Sequence, residues 1–481
     1  MQWTNSKTIV IDLVRIRPCF QSCFWLVWLL PETCMAHAGE RGFIMLLPTS
    51  LFITTGTLAV LTSLIIVSCL PNKPVRRFWS YSKTLFELKS ATITTLSSAL
   101  TLGMSCLLII AGAIGNPDPL KNPIGPIIWS WFWIGLVILH AIFGNLWLVL
   151  NPWRIMALLG KKLRSRFSID VQKYPNSLSY WPAVALLLSF FWFENVSLYP
   201  YDPRVLSSVV SCYLIFNLCG LTIFGYKQWC RYVEIFSIYF RLVSLLSPFR
   251  WRMDRTHVNL TLVFPCSSLA RHPALPISGV IFIVVTVAGI TFDGGLRSFS
   301  WLGLIGVNPL EFAGRSQVLI PNTLGLVSAC VMLAAVYFML IFLGNRLTYP
   351  TSEHTGTFVL SMIPIAFGYH FAHYLPSFLL DAQYGLLALA DPFDLGWNLF
   401  GLNEFVIYAS VQSDFHNVSR IWYAQIAAIS TCHIIAVLVC HTIATQSLVG
   451  RKQLFLNQLP FSLLMLFYTT LGLWLLSTPG I

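Results

Sequence analysis

Four histidines in neighbouring apolar segments are the residues of this chain best suited to chemistry. His370 and His373 lie one helical turn apart within residues 357–380, and His433 and His441 lie in the next apolar segment, 421–446. Ionisable groups placed inside a membrane are costly and tend to mark ion, proton, metal or cofactor sites. The pattern therefore predicts a functional site in this part of the chain.

Helical geometry predicts which of these side chains can act together. Residues 370 and 373 are about 60° apart on a helix, and Asp381 falls about 20° from His370, so all three share one face. His140 lies near the middle of an earlier apolar segment and is a further candidate at similar depth. Glu194, near the end of another segment, could face the same cavity as the histidines.

A metal site is the first interpretation of this pattern. Neutral imidazoles suit zinc or copper, and facing helices that present histidines can bind such ions within a bundle. We expect His370, His373 and His433 to be the chief ligands, with His441 and His140 as further candidates. Asp381 and Glu194 would orient the ligands by accepting hydrogen bonds from them. A variant of this hypothesis is a b-type haem, with axial histidines such as His370 and His433.

Two other interpretations stay open. Pro364 and Pro376 lack an amide proton and free the carbonyl groups of Leu360 and Ala372, and a histidine N–H could satisfy a freed carbonyl in a membrane. The histidines would then be structural. Alternatively, the histidines and Asp381 relay protons or pass a metal ion, because a helix interrupted by proline and glycine often forms a transport site.

Composition places the whole chain in a membrane. Of its 481 residues, 56% are apolar and only 10% are charged, with a mean hydropathy of +0.72. Soluble domains carry about 25% charged residues. The sequence predicts an all-α, polytopic transmembrane helix bundle with the lipid bilayer as its main partner.

Ten segments approach the 20 or so apolar residues that a bilayer requires. They are 49–70, 93–115, 127–150, 181–199, 205–225, 277–293, 322–344, 357–380, 421–446 and 457–477.

The basic residues predict the orientation of these spans. Loops 71–92, 151–180, 226–276, 345–356 and 447–456 hold 21 of the 30 lysines and arginines, whereas the alternate loops hold six. Loops rich in lysine and arginine face the cytoplasm, so these five loops are predicted to be cytoplasmic. The net charge of +12 is therefore a topology signal rather than a sign of nucleic-acid binding. The spacing of Arg231, Glu234 and Arg241 further predicts a cytoplasmic interfacial helix at about 228–246.

The N-terminus is predicted to be a signal peptide spanning residues 1–36. Lys7, Arg15 and Arg17 precede a short apolar run that ends before small residues at 34–39. Cleavage after Ala36 would leave His37 as an N-terminal copper chelate, whereas cleavage after Ala38 would remove it. An uncleaved signal anchor is the alternative. With the signal removed, residues 37–481 form one membrane domain with both termini outside.

Five segments of the chain resemble one known family. They are AHAGERGFIMLLPT (36–49), PDPLKNPIGPIIWSWFWIGLVILHAIFGNLWLVLNPWR (117–154), PIAFGYHFAHYL (364–375), DPFDLGWNLFG (391–401) and MLFYTTLGLWLL (465–476). Together, and in this order, they resemble the polytopic bacterial membrane proteins named fenitrothion hydrolase. His370, His373, His433 and His441 stand where that family pattern has histidines. The resemblance implies hydrolysis of phosphotriesters.

We therefore predict an inner-membrane protein with a buried histidine metal site, acting as a metal-dependent hydrolase of hydrophobic esters. The alternative is a metal-ion or proton-coupled transporter, a metal-handling protein or a b-haem protein. No nucleotide-binding motif is present in the sequence, and a second membrane subunit stays open as a partner. Asp293-Gly294-Gly295 predicts a helix end and turn rather than a site.

Overall fold

The structure is a computed structural model. It describes residues 49–69, 79–89, 91–253, 257–312, 314–348, 354–402, 404–447 and 450–478. The predicted signal peptide (1–36) and His37 lie outside these residues, so the signal peptide and the copper chelate stay predictions.

The described chain is predominantly helical, which confirms the predicted all-α polytopic bundle. The helices are α1 (Thr49–Cys69), α2 (Ala91–Ile114), α3 (Ile124–Phe143), α4 (Trp147–Leu150), α5 (Trp153–Phe167), α6 (Trp181–Asn195), α7 (Pro203–Phe224), α8 (Tyr226–Tyr232), α9 (Ile235–Val243), α10 (Ser267–Ala270), α11 (Ile277–Gly295), α12 (Phe299–Leu304), α13 (Arg315–Leu347), α14 (His354–Phe358), α15 (Met362–Ala390), α16 (Phe415–Ser447) and α17 (Arg451–Ser477). Residues Ile127–Gly135 of α3 form a π-helix, and a 3₁₀ turn, Val359–Ser361, joins α14 to α15.

Nine of the helical segments in the described ranges are long and apolar enough to cross a membrane. They are α1, α2, α3, α7, α11, α13, α14–α15, α16 and α17. The remaining predicted span, the fourth (181–199), is the 15-residue helix α6. At 1.5 Å per residue α6 is about 22 Å long, short of the roughly 30 Å of a hydrocarbon core.

Contacts between loops divide them into two sets at opposite ends of the bundle. At one end, Ser247 donates to Ile142 O and the amide of Leu275 donates to Gly356 O. At the other end, Asn116 donates to Asp394 at 2.5 Å. We call these the basic end and the acidic end, because the first contains the loops with most of the lysines and arginines.

Helix α6 runs from one end to the other despite its length. The amide of Tyr180, just before it, donates to Ser278 Oγ at the basic end of α11. Its last turn meets Arg315, whose guanidinium donates to Glu194 O and to Ser197 O at the acidic end. The predicted fourth span thus corresponds to a helix that connects the two ends.

A three-stranded antiparallel sheet at the basic end was not predicted. Its strands are β1 (Ser82–Lys89), β2 (Phe249–Met253) and β3 (His257–Val263), in the order β1-β3-β2. Strand β1 comes from the loop before α2, and β2 and β3 come from the loop after α9. Both parent loops were predicted to lie on the same side of the membrane, and the pairing agrees with that.

The segment 226–246 differs from the single interfacial helix predicted at about 228–246. It forms α8, a break at Val233 and Glu234, and then α9. Glu234 is fully buried and caps α9, accepting from the amides of Phe236 (3.1 Å) and Ser237 (2.6 Å). Most of α9 is buried too, so this correction places an apolar half-helix inside the bundle instead of on its surface.

A second short element re-enters the bundle from the basic end. Gly144, with φ 84° and ψ −165°, ends α3 and reverses the chain, and α4 then packs Trp147 against Phe132 and against Phe240 of α9. Phe132 lies about 16 Å above the basic end of α3 at 1.5 Å per residue. Interrupted helices at such depth are tolerated where protein buries them.

Candidate functional site

Three of the predicted histidines donate a ring N–H to a backbone carbonyl. His140 Nδ1 lies 2.6 Å from Leu136 O, His433 Nδ1 lies 2.8 Å from Ile429 O, and His370 Nε2 lies 3.1 Å from Trp133 O. A carbonyl oxygen can only accept, so each of these nitrogens carries a proton. None of these carbonyls is one that Pro364 or Pro376 frees, and only the bond from His370 joins two helices.

His140 is the most completely engaged of them. Its second nitrogen, Nε2, accepts the amide proton of Trp147 at 2.9 Å, and the ring stacks on Phe240 with 4.3 Å between centroids. The imidazole therefore caps the re-entrant helix α4 and ties it to α3 and α9.

Replacing His140 with leucine should lower the free energy of unfolding by about 1–3 kcal/mol, because the buried amide of Trp147 loses its acceptor. Thermal unfolding in detergent measures this. The exposed His416→Leu is the matched control and should change stability by less than about 0.5 kcal/mol. The destabilisation caused by His140→Leu should be the same with and without a metal chelator. If a chelator instead destabilised the wild-type protein by as much as His140→Leu does, His140 would be a metal ligand.

The structure does not bring His370 and His433 to a common point. His370 packs against Trp133 and Tyr374, with ring centroids 4.9 and 4.8 Å apart. His433 packs against Tyr369, whose side chain leaves α15 about 100° from that of His370. The two rings therefore have different neighbours.

His441 is separate again, with its Nδ1 3.3 Å from Gln458 Oε1 of α17. Among the described residues, no group of three or more histidine, cysteine, aspartate or glutamate side chains is arranged to hold a metal ion. Which metal or haem, if any, the protein binds stays a prediction from the sequence.

The carbonyl freed by Pro376 is satisfied by a different residue from the one expected. Gln425 of α16 donates to Ala372 O at 2.6 Å. A glutamine thus fills the role that the structural interpretation gave to a histidine.

The fifth histidine, His373, differs from the others because it contacts a carboxylate. Its Nε2 lies 3.1 Å from Asp293 Oδ2, at the end of α11. The same carboxylate oxygen lies 2.5 Å from the hydroxyl of Tyr374. Tyr374 also lies 3.0 Å from Glu194 Oε1, at the end of α6. One phenol thus connects two carboxyl groups from two different helices.

The local structure explains why these four side chains meet. His373 and Tyr374 are consecutive on α15, so their side chains diverge by about 100° and flank Asp293. Asp293 and Glu194 both lie in the last turn of helices that end at the acidic end. Arg315 holds the end of α6 in place through Glu194 O and Ser197 O, at 3.0 and 2.9 Å.

Burial increases along this cluster, which we call the Tyr374 cluster (Glu194, Asp293, His373 and Tyr374). The side chain of His373 is 35% exposed and that of Asp293 15% exposed, whereas Glu194 is buried. A small crevice of about 40 Å³, lined by Thr291, Gly294 and His373 among others, borders its outer edge. The cluster therefore leads from an accessible imidazole to an enclosed carboxyl group.

The hydrogen bonds imply that this cluster holds a proton. A phenol donates one hydrogen bond, so it cannot satisfy two ionised carboxylates together. If Tyr374 donates to Asp293, its oxygen can accept only from a protonated Glu194. Like charges this close favour retention of a proton on one of the two carboxyl groups.

The sequence prediction found part of this cluster. His373 and Glu194 were candidates, but Asp381 makes no hydrogen bond or ion pair with any histidine among the described residues. Asp293 was interpreted as a helix end, which it is, and Tyr374 was not considered. The one available signal was an aspartate inside the last turn of an apolar span.

No known protein family model, no curated protein and no solved structure matches this chain.

Proposed function

We propose that this protein is a proton-coupled membrane transporter whose proton-binding site is the Tyr374 cluster. The observation that carries the proposal is the single phenol bridging Glu194 and Asp293. Loss of the shared proton would leave two negative charges competing for the hydroxyl of Tyr374, with His373 as a further donor to Asp293 alone, and the helices that hold the two carboxylates would separate. Protonation would thereby change the packing of α6 and α11 against α15.

The helices around the cluster can change shape. The π-helical segment of α3 packs against α15 at Trp133 and His370, and α15 itself contains Pro376. Segments of this kind are weak points of a helix and often occur at functional sites. The re-entrant helices α4 and α9 approach from the basic end, as half-helices do in transporters.

Polar groups continue beyond the cluster toward α9. His370 Nδ1 and the hydroxyl of Tyr239 are buried and have no hydrogen-bond partner in the described protein. Their rings lie 6.4 Å apart, and both pack against Trp133. A proton leaving Glu194 toward the basic end would meet these two groups next.

Metal-dependent ester hydrolysis is supported by the family resemblance alone. It requires a metal held by histidines, and the transport proposal does not. Elemental mass spectrometry of the purified protein, together with its visible spectrum, separates the two. One transition metal per chain, or a haem absorption band, would favour the catalytic proposal.

Infrared spectroscopy tests the proton site directly. The acid-minus-alkaline difference spectrum of the purified protein should contain a band from a protonated carboxyl group. Glu194→Gln should remove that band and Tyr374→Phe should shift it, because the hydrogen bond to the acid is lost. Glu311→Gln, an exposed residue at the acidic end, should leave it unchanged. A band that survives in Glu194→Gln would overturn the proton site.

Hydrogen exchange then tests the coupling. Peptides from α6 and α15 should exchange faster at alkaline than at acidic pH, after correction for intrinsic rates. In Glu194→Gln this dependence should disappear. A wild-type protein with a proton at Glu194 but no pH-dependent exchange would be a proton-binding protein without the proposed coupling.

A further inference from the structure

An apolar crevice lies between α2, α3, α6 and α7, away from the Tyr374 cluster. Its volume is about 510 Å³, within the range of ligand pockets. Residues on its rim, including Met104 of α2 and Val209 and Phe216 of α7, are about 40% exposed. Because these positions lie in the middle of membrane-spanning helices, the crevice opens sideways into the hydrocarbon of the bilayer.

The hydroxyl groups of the lining are not free for a ligand. Thr101, Ser105 and Ser189 each donate to a carbonyl of their own helix, and the hydroxyl of Tyr213 donates to Glu234. The remaining lining residues are almost all apolar, and their polar atoms without a partner include the buried indole nitrogens of Trp147 and Trp153. An aliphatic chain suits this space, whereas a polar ligand would lose its hydration for few hydrogen bonds.

The crevice ends at Pro152 and Trp153, where α5 begins. From there α5 runs toward the basic end beside α7, with Trp153 near Tyr213 and Arg164 donating to Leu221 O and Thr222 O. Its exposed residues change along the way from apolar to basic. Leu158 and Leu159 are exposed first, and they are followed by Lys161, Lys162 and Arg166.

These three basic side chains form no ion pair within the part of the chain that the structure describes. No carboxylate among the described residues lies within ion-pair distance of Lys161, Lys162 or Arg166. Arg164, by contrast, is engaged in capping α7. The end of α5 therefore presents three free positive charges beside exposed leucines, the pattern of a helix that meets a membrane surface.

The distances match one leaflet of a bilayer. Eight residues separate Trp153 from Lys161, which is about 12 Å along a helix. Half of a roughly 30 Å hydrocarbon core is about 15 Å. A chain whose headgroup lies at Lys161 and Lys162 would pass Leu158 and Leu159 and reach the crevice with its far half.

We propose that this surface is a binding site for one anionic phospholipid of the leaflet at the basic end. The headgroup phosphate would bind Lys161, Lys162 and Arg166, and an acyl chain would enter the crevice beside Trp153. The three basic side chains would select an anionic headgroup, and the apolar crevice would bind the acyl chain. This site is independent of the Tyr374 cluster and of the transport proposal.

Native mass spectrometry of the full chain tests the proposal, with dioleoyl phosphatidylglycerol and dioleoyl phosphatidylcholine as the probes. Wild-type protein should retain one phosphatidylglycerol at concentrations about tenfold below those needed for phosphatidylcholine. The triple variant Lys161→Gln/Lys162→Gln/Arg166→Gln should bind both lipids equally. A matched triple variant, Lys173→Gln/Lys227→Gln/Arg252→Gln, removes three exposed charges at the same end and should keep the preference.

A second pair of variants tests the crevice. Ser105→Phe fills it and should weaken both lipids, whereas Cys106→Phe, at an exposed neighbouring position outside the lining, should not. Equal binding of the two lipids by wild-type protein would overturn the proposal. The proposal would also be overturned if the matched triple variant lost as much preference for phosphatidylglycerol as the first triple variant. It would be overturned as well if Ser105→Phe bound lipid as tightly as the wild type.

Discussion

Replacing Glu234 with leucine should lower the free energy of unfolding by about 3–5 kcal/mol, because a buried donor left without an acceptor costs about 1–3 kcal/mol and Glu234 serves three of them. The carboxylate accepts three hydrogen bonds, from the amides of Phe236 and Ser237 and from the hydroxyl of Tyr213 at 2.6 Å. Leucine accepts none, so three buried donors lose their partner. Thermal unfolding of the detergent-purified protein measures the effect.

Two controls show whether burial is responsible. Asp202 caps α7 through the amides of Arg204 and Val205 but is only half-buried. Asp202→Ala should therefore cost only about 1 kcal/mol. Glu234→Gln keeps an acceptor and should fall between the two. If Glu234→Leu costs no more than Asp202→Ala, α9 is solvated and the re-entrant arrangement is wrong.

Alanine at Gly144 is expected to cost about 2–4 kcal/mol, since its backbone lies in a region open almost solely to glycine, with φ 84° and ψ −165°. In addition, an added Cβ would overlap the carbonyl oxygen of Phe249 in β2 and lie 2.8 Å from the Trp251 ring. The turn into α4 and the sheet contact would both be strained. The measurement is again the unfolding midpoint.

Gly225 separates the two causes of that loss. Its backbone lies in the same region, with φ 76° and ψ 159°, but an added Cβ would meet only Val171 Cγ1, at 3.9 Å. Gly225→Ala should therefore cost about 1–3 kcal/mol, from the backbone alone. An equal loss at both positions would mean that the contact with Phe249 contributes nothing.

The spans could be predicted because a bilayer imposes one simple requirement, a long apolar run. The same rule explains where prediction failed. Helix α6 is shorter than a typical span, and its predicted end at residue 199 is four residues beyond Asn195. In 226–246 the alternation of charged and apolar residues resembles an interfacial helix. There, Glu234 is instead a buried cap, a role that depends on Tyr213 in another helix.

The site shows the same division between local and long-range information. Helical spacing predicts that His373 shares a face with His370 and Asp381, but its carboxylate partner is Asp293 of α11, 80 residues earlier. The three histidines that donate to carbonyls are indistinguishable from ligands by residue type. Only the positions of their hydrogen-bond partners in space, such as the Trp147 amide that donates to His140, reveal their use.

The three-stranded sheet has a consequence for synthesis. Strand β1 is complete at Lys89, but its partner β3 begins only at His257. At about 5–20 residues per second, roughly 10–30 s pass between the synthesis of β1 and that of β3. An unpaired strand edge invites pairing with other chains, and charged residues reduce that risk. Lys83, Glu87 and Lys89 interrupt the apolar residues of β1, so the strand carries its own protection until the second half of the protein arrives.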